Sequence, residues 1–272
     1  MKKLLLLSAL LILGCSEDEN SNIQNITSEN ALVDTFTYSY IDNDTNSSDY
    51  GNQVEVIEHY NYIGNKLVSI DIAFDGNETI GACSLEYNDV NQITKYNIYG
   101  GDSAEYEYDE FGRVIIYTYT DVDDFPTPNI SIGNYTYNQD GTVSFAFETN
   151  PDSSSVYYLD QNGNIIRDTT VSNTWDGSTQ ITTDLESSFD NKNNPFKNVL
   201  GESVFVRVGS PISYGDYNNN VISTNGNPWF YTYNEYDFPI TINSPLGLQD
   251  TSDGYWNSKW INIQAEITYT SY

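Results

Sequence analysis

Apolar and polar positions alternate with period two along most of the chain, and Asp-, Asn- and Gly-rich interruptions break that alternation at regular distances. In YEYDEFGRVIIYTYT, Tyr106 to Thr120, tyrosines alternate with acidic residues. Asp-x-x-Gly-Arg then intervenes, and an apolar run resumes. Period two in Tyr, Val, Ile and Thr predicts strands, and the interruption predicts a tight turn between them.

The same arrangement recurs as YNYIGNKLVSI from Tyr60, LEYNDVNQITKY from Leu85, YEYDEFGRVIIY from Tyr106 and YTYNQDGTVSFAF from Tyr135. It continues as YYLDQNGNIIRD from Tyr157, SSFDNKNNPFKN from Ser187 and YTYNEYDFPITI from Tyr231, with ITYTSY as a closing half-unit. Asn88, Asp109, Asn138, Asp160, Asp190 and Asn234 open the turns, because a short side-chain oxygen accepts from the backbone two residues on. Three residues later stand Asn91, Gly112, Gly141, Gly163, Asn193 and Asp237. These residue types tolerate the positive φ that a type I turn with a bulge requires. The first unit is shorter and carries Gly64-Asn65, a two-residue hairpin signal.

The expected fold is all-β: an antiparallel meander of hairpins forming one large, twisted and curled sheet, either a partly closed barrel or sandwich-like. Both faces of Val114 to Thr120 look apolar, with Val114 and Ile116 on one side and Ile115, Tyr117 and Tyr119 on the other. Such a sheet curls on itself, packs as a sandwich or binds something. The spacing is interrupted by an insertion at about 198–229, expected to be a short helix or loop crossing the sheet, with Val204 to Val208 as an extra strand. It serves either as a function-bearing loop or as a cap on one face.

The unit YEYDEFGRV resembles the YD repeat of Rhs and teneurin-like proteins, and the resemblance extends from about Tyr38 to the C-terminus. It implies a sheet that winds into a shell, although seven units are too few to close a cocoon around cargo. The chain is similar to short, tethered YD-repeat bacterial surface lipoproteins of unassigned function. Asn194-Pro195-Phe196 belongs to the same resemblance.

The N-terminus supports that likeness. Lys2 and Lys3 precede an apolar run, Leu4 to Leu13, too short to span a bilayer and of signal-peptide length. Leu11 to Cys15 resembles a lipobox. The resemblance implies that residues 1–14 are a signal peptide and that Cys15 carries the lipid. Residues 15–31 are then a lipidated, flexible acidic tether, and 32–272 a single β domain. Ser16 is not the Asp of inner-membrane retention, and Glu17-Asp18-Glu19 resembles a surface-export tag. The expected location is the outer membrane, facing the exterior. Cys83, left without an intramolecular partner, reads as a small buried apolar residue.

Lys+Arg 10 against Asp+Glu 39 gives a formal charge of -29, which repels phosphate backbones, so nucleic acid is not an expected partner. Disorder, the other consequence of high charge, is opposed by an aromatic content of 14%. His59 is the only histidine, so a Ser-His-Asp or Cys-His enzyme would have to use it, and a multi-histidine zinc site is excluded. It reads as a strand or rim residue. Carboxylate pairs for glycoside hydrolysis are too abundant to point to one site, and a hydrolase ranks third among the readings. Asp42, Asp44 and Asn46 suggest calcium, but an EF-hand loop would have Gly at Ser47 and Glu at Gln53. A hydrophilic hairpin loop is therefore expected, with no cofactor. Trp175, Trp229, Trp256 and Trp260 are candidate stacking platforms for a glycan or protein ligand, against the alternative that they simply pack in the sheet. The expected function is a non-enzymatic binding or interaction module, with a purely structural envelope protein as the rival.

Overall fold

The computed structural model describes residues 26–41, 51–77, 80–98, 100–122, 127–173, 180–206, 218–244 and 263–272. Their regular structure is all strand. In chain order the strands are β1 (Ala31–Ile41), β2 (Gln53–Ile63), β3 (Lys66–Phe74), β4 (Ile80–Tyr87), β5 (Ile93–Ile98) and β6 (Ser103–Tyr108). Next come β7 (Val114–Asp121), β8 (Asn129–Tyr137), β9 (Val143–Phe147), β10 (Asn150–Leu159), β11 (Ile165–Asn173) and β12 (Gln180–Phe189). The last are β13 (Val221–Thr224), β14 (Asn227–Pro228), β15 (Phe230–Tyr233), β16 (Pro239–Ser244) and β17 (Ile263–Ser271).

Consecutive strands from β1 to β14 pair antiparallel, as do β15 to β17, and β17 pairs back to β1, so one 17-stranded sheet nearly closes into a barrel. The seam lies at Trp229, where β14 runs into β15 through the chain. β1 seals the opposite ends of the sequence, with Phe36 opposite both Ile267 and Glu58. The all-β meander expected from the pattern is the observed fold.

All the repeat turns lie on one rim. Asp109 shows how they close. Its backbone carbonyl accepts from Gly112 at 3.0 Å, while its Oδ1 accepts from the N–H groups of Phe111 and Arg113, both at 2.9 Å. Asn91, Gly112, Gly141, Gly163 and Asp237 have the expected positive φ. Asn193 does not, because the chain leaves the sheet inside that turn. Asp190 still opens it, but its return partner is Asn220, whose carbonyl accepts from the Asp190 N–H at 3.0 Å. The excursion therefore departs after β12 and rejoins at β13. Residues 221–228 of the expected insertion are sheet, and the strand expected at Val204 to Val208 is represented in the described residues by turns and a single bridge, Ser203 to Val206.

The two apolar faces of Val114 to Thr120 resolve into one. Tyr108 pairs Val114 but Glu107 pairs Ile116, leaving Ile115 as an extra residue. A bulge of this kind shifts the alternation by one. Val114, Tyr117 and Tyr119 therefore point inward, while Ile116 joins the outer wall. Val68, Thr94, Ile166, Ile222 and Ile240 are extra residues at the same place in their hairpins.

Each bulge displaces the carbonyl just before it from the regular ladder, and at five of these six a tyrosine of a neighbouring hairpin takes it; at the Ile166 bulge the corresponding residue is Phe189, which has no hydroxyl. The hydroxyls of Tyr87, Tyr108, Tyr137, Tyr231 and Tyr269 donate to the carbonyls of Leu67 (2.9 Å), Ile93 (2.5 Å), Val114 (3.1 Å), Val221 (2.6 Å) and Pro239 (2.7 Å). A net hydrogen bond contributes about 1 kcal/mol, and a buried carbonyl left unmet costs more. The bulge and the tyrosine are thus paired features of neighbouring units. The hairpin joining β8 and β9 has no bulge, and the adjoining unit has Leu159, which carries no hydroxyl, at the tyrosine position.

Candidate functional site

Inward rows such as Leu85, Tyr96, Ala104 and Tyr119, which pair in succession, form the core. The matching outward row runs Glu86, Lys95, Glu105 and Thr118. Lys95 and Glu105 form a 2.8 Å ion pair on this wall, and Arg167 and Asp184 another at 3.0 Å. A barrel that spans a bilayer has the opposite distribution, with apolar residues outside. Over β4 to β7 this wall is polar and charged, while Ile130, Leu185 and Phe230 are exposed elsewhere on it.

The excursion from β12 fills the barrel from its turn rim. Phe196 is fully buried, with its ring 5.4 Å from Tyr60, and Phe205 meets Tyr135, Tyr137 and Tyr157 at 4.9, 6.3 and 5.5 Å. Hydrogen bonds hold this plug to the rim. The Leu200 N–H donates to the Asn65 carbonyl at 2.8 Å, and Asn198 Nδ2 donates to the carbonyls of Ala31 (2.9 Å) and Ser28 (3.3 Å). Gly201, at φ +82, passes so close that a Cβ there would lie 2.7 Å from the Asn91 carbonyl oxygen. Only glycine fits both conditions. The plug corresponds to the cap alternative for the insertion, and it caps the interior.

The polar groups inside are few and embedded. Glu58 is fully buried and accepts from the Tyr60 hydroxyl at 2.5 Å. Burial raises the Cys83 thiol to about 11, although hydrogen bonds to Tyr96 and Ile70 oppose the shift. Cys83 is therefore a neutral thiol at physiological pH and a poor nucleophile. This agrees with its expected role as a small buried residue. Burial likewise raises Tyr87 and Tyr137 to about 12. The Tyr119 hydroxyl donates to Asp102 at 2.8 Å and the Tyr233 hydroxyl to Asp190 at 2.5 Å. Both phenols are raised, first by burial and then by those carboxylates.

Of the four candidate tryptophans, Trp229 is half-buried at the barrel seam, packed against the core, with its backbone N–H donating to the Ile222 carbonyl at 2.9 Å. Trp175, Trp256 and Trp260 lie outside the described residues, as do Cys15 and the calcium candidates Asp42, Asp44 and Asn46. His59 faces outward on β2, opposite Thr35 and Asp71. The described residues hold no cluster of three or more His, Cys, Asp or Glu groups placed to share a metal.

No family model matches the chain, and no curated protein matches it. Solved structures do. A porin-like protein from Bacteroides uniformis aligns at 13% identity and a TM-score of 0.44 over 87% of this chain and 97% of that one. The TcdB2-TccC3 structure without its hypervariable C-terminal region aligns at 12% identity and a TM-score of 0.36 over 81% of this chain. The Photorhabdus luminescens Tc holotoxin pore aligns at 14% identity and 0.33 over 71%. This chain spans only 14% and 11% of those two toxin chains.

Proposed function

We propose that the chain is a lipid-anchored, surface-exposed interaction module of YD-repeat type, a plugged β-shell standing in water at the end of a tether. The reversed distribution of its wall carries this reading. Across β4 to β6, Glu86, Lys95, Glu105 and Glu107 face outward while Leu85, Tyr96, Ala104 and Tyr106 face inward, although Ile130, Leu185 and Phe230 stand exposed elsewhere on the wall. A wall charged in this way is unsuited to a bilayer core, so membrane attachment falls to the N-terminal lipid on Cys15. Many of the inner tyrosines, Tyr60, Tyr87, Tyr108, Tyr119 and Tyr137 among them, have their hydroxyls on carbonyls and carboxylates, so contacts with a glycan or protein ligand belong to the outer wall and the rims. Those same bonds favour the second reading, a purely structural envelope protein, which a screen against envelope glycans separates from the first. The interaction module needs neither a cofactor nor a catalytic group.

The anchor is tested with Cys15→Ala. The lipidated protein is expected in the outer-membrane fraction, and the variant in the soluble fraction. A variant retained in the membrane would end the tether reading.

A further inference from the structure

The turn rim is divided into two arcs. Ile63 ends β2 beside the turn to β3, and Val90 and Phe111 stand at the tips of the turns joining β4 to β5 and β6 to β7. They are 72%, 71% and 73% exposed. Tyr272, at the end of β17, is exposed on the other side of β1. Around the rest of the rim the corresponding tips are Asp140, Asn162 and Lys192, which are charged or polar, and Tyr236, an aromatic that is half-buried. The apolar arc thus starts beside β1, where the chain enters the barrel, and runs from there to the turn joining β6 to β7.

The arc is also held in place. Gln92 Nε2 donates to the Gly112 carbonyl at 3.3 Å, joining the second turn to the third. The plug binds the first turn at Asn65, and Tyr272 donates its hydroxyl to the Glu29 carbonyl at 3.2 Å. A cavity of about 410 Å³ lined by Leu32, Tyr62, Gly64 and Tyr272 opens within the same arc. Adjacent hairpins place their tips roughly 10 Å apart, two strand spacings. Three large apolar side chains so exposed in one row mark a contact surface.

We infer that this arc rests on the lipid surface, with Ile63, Val90 and Phe111 entering the interfacial layer. The proposal depends on the lipid-anchor reading. From Cys15 to Ile26 the chain can span at most about 40 Å. The tether therefore holds the β1 end of the rim near the bilayer, and the apolar tips run from that end. The plugged mouth then faces the membrane, and the opposite rim faces away.

The test uses the full lipidated protein in phosphatidylcholine vesicles containing a nitroxide-labelled lipid. A fluorophore is placed at Val90→Cys, or at Asp140→Cys on the polar arc. Cys83, buried and neutral, stays unlabelled, and Cys15 is acylated. Several-fold stronger quenching at position 90 than at 140 is expected. Adding Ile63→Ser and Phe111→Ser should reduce the quenching at 90. Equal quenching at both positions, or quenching at 90 untouched by the serine changes, would overturn the docking. Shielding of position 90 only when envelope protein is added would do the same and point to a protein partner. Failure of the protein to float with vesicles would instead count against the anchor, so the two readings fail separately.

Discussion

Phe196→Ala is expected to destabilise the barrel by about 3–5 kcal/mol, the range for removing a buried aromatic side chain. The ring is fully buried and packs on Tyr60, whose hydroxyl in turn bonds the buried Glu58. Its loss opens a cavity beside a desolvated carboxylate, and nothing nearby can collapse into it without breaking the plug's bonds to Asn65 and Ala31. Urea unfolding followed by far-UV circular dichroism measures the change. A loss below about 1 kcal/mol, the scale of an ordinary surface substitution, would mean that the plug is an appendage and not part of the core.

The second large effect is alkaline unfolding. The tyrosines Tyr87 and Tyr137 are raised from 10.0 to about 12 by burial, and Tyr108, Tyr119 and Tyr233 are raised in the same direction. A group whose folded pKa lies above its unfolded value binds its proton more tightly when folded. Its stabilisation is complete below the unfolded value and is lost as pH rises through the folded one. Stability should therefore hold up to about pH 10 and fall steeply between about 10 and 12, because many phenols titrate together. Tyrosinate absorbance and loss of the strand signal are expected to rise in one transition. Tyrosines ionising near 10 with the sheet intact would show that their hydroxyls do not hold the bulge carbonyls.

The turns were legible because their chemistry is local. Asp109 bonds its own next residues, and Gly112 needs positive φ whatever surrounds it. The direction of the apolar residues beyond each turn was not. Val114, Ile115, Ile116 and Tyr117 read as two apolar faces until the bulge at Ile115 resets the count, and a bulge depends on what the partner strand does. The hydroxyl of Tyr108, at the end of β6, reaches the carbonyl of Ile93 at the start of the neighbouring β5, distant along the chain but adjacent in space. The sequence pattern showed that the tyrosine recurs, not what it bonds. Asn193 kept the right residue type for its turn, yet Asp190 closes with Asn220 across the whole insertion. Phe196 and Phe205 stood in a stretch without alternation, so nothing local marked them as interior. The apolar tips Ile63, Val90 and Phe111 could have been noticed as large side chains where turns normally place polar ones. Of the candidate site residues, only Trp229 falls in the described part, and it packs at the seam.

The central claim is that this barrel stands in water and is tethered to the membrane, not embedded in it. Its most direct test is the chain beginning at Ser16, purified without detergent and examined by analytical ultracentrifugation with circular dichroism. The account predicts a monodisperse, strand-rich species that needs no detergent. A chain that precipitates or aggregates in its absence, and folds only when detergent or lipid covers the wall, would contradict it.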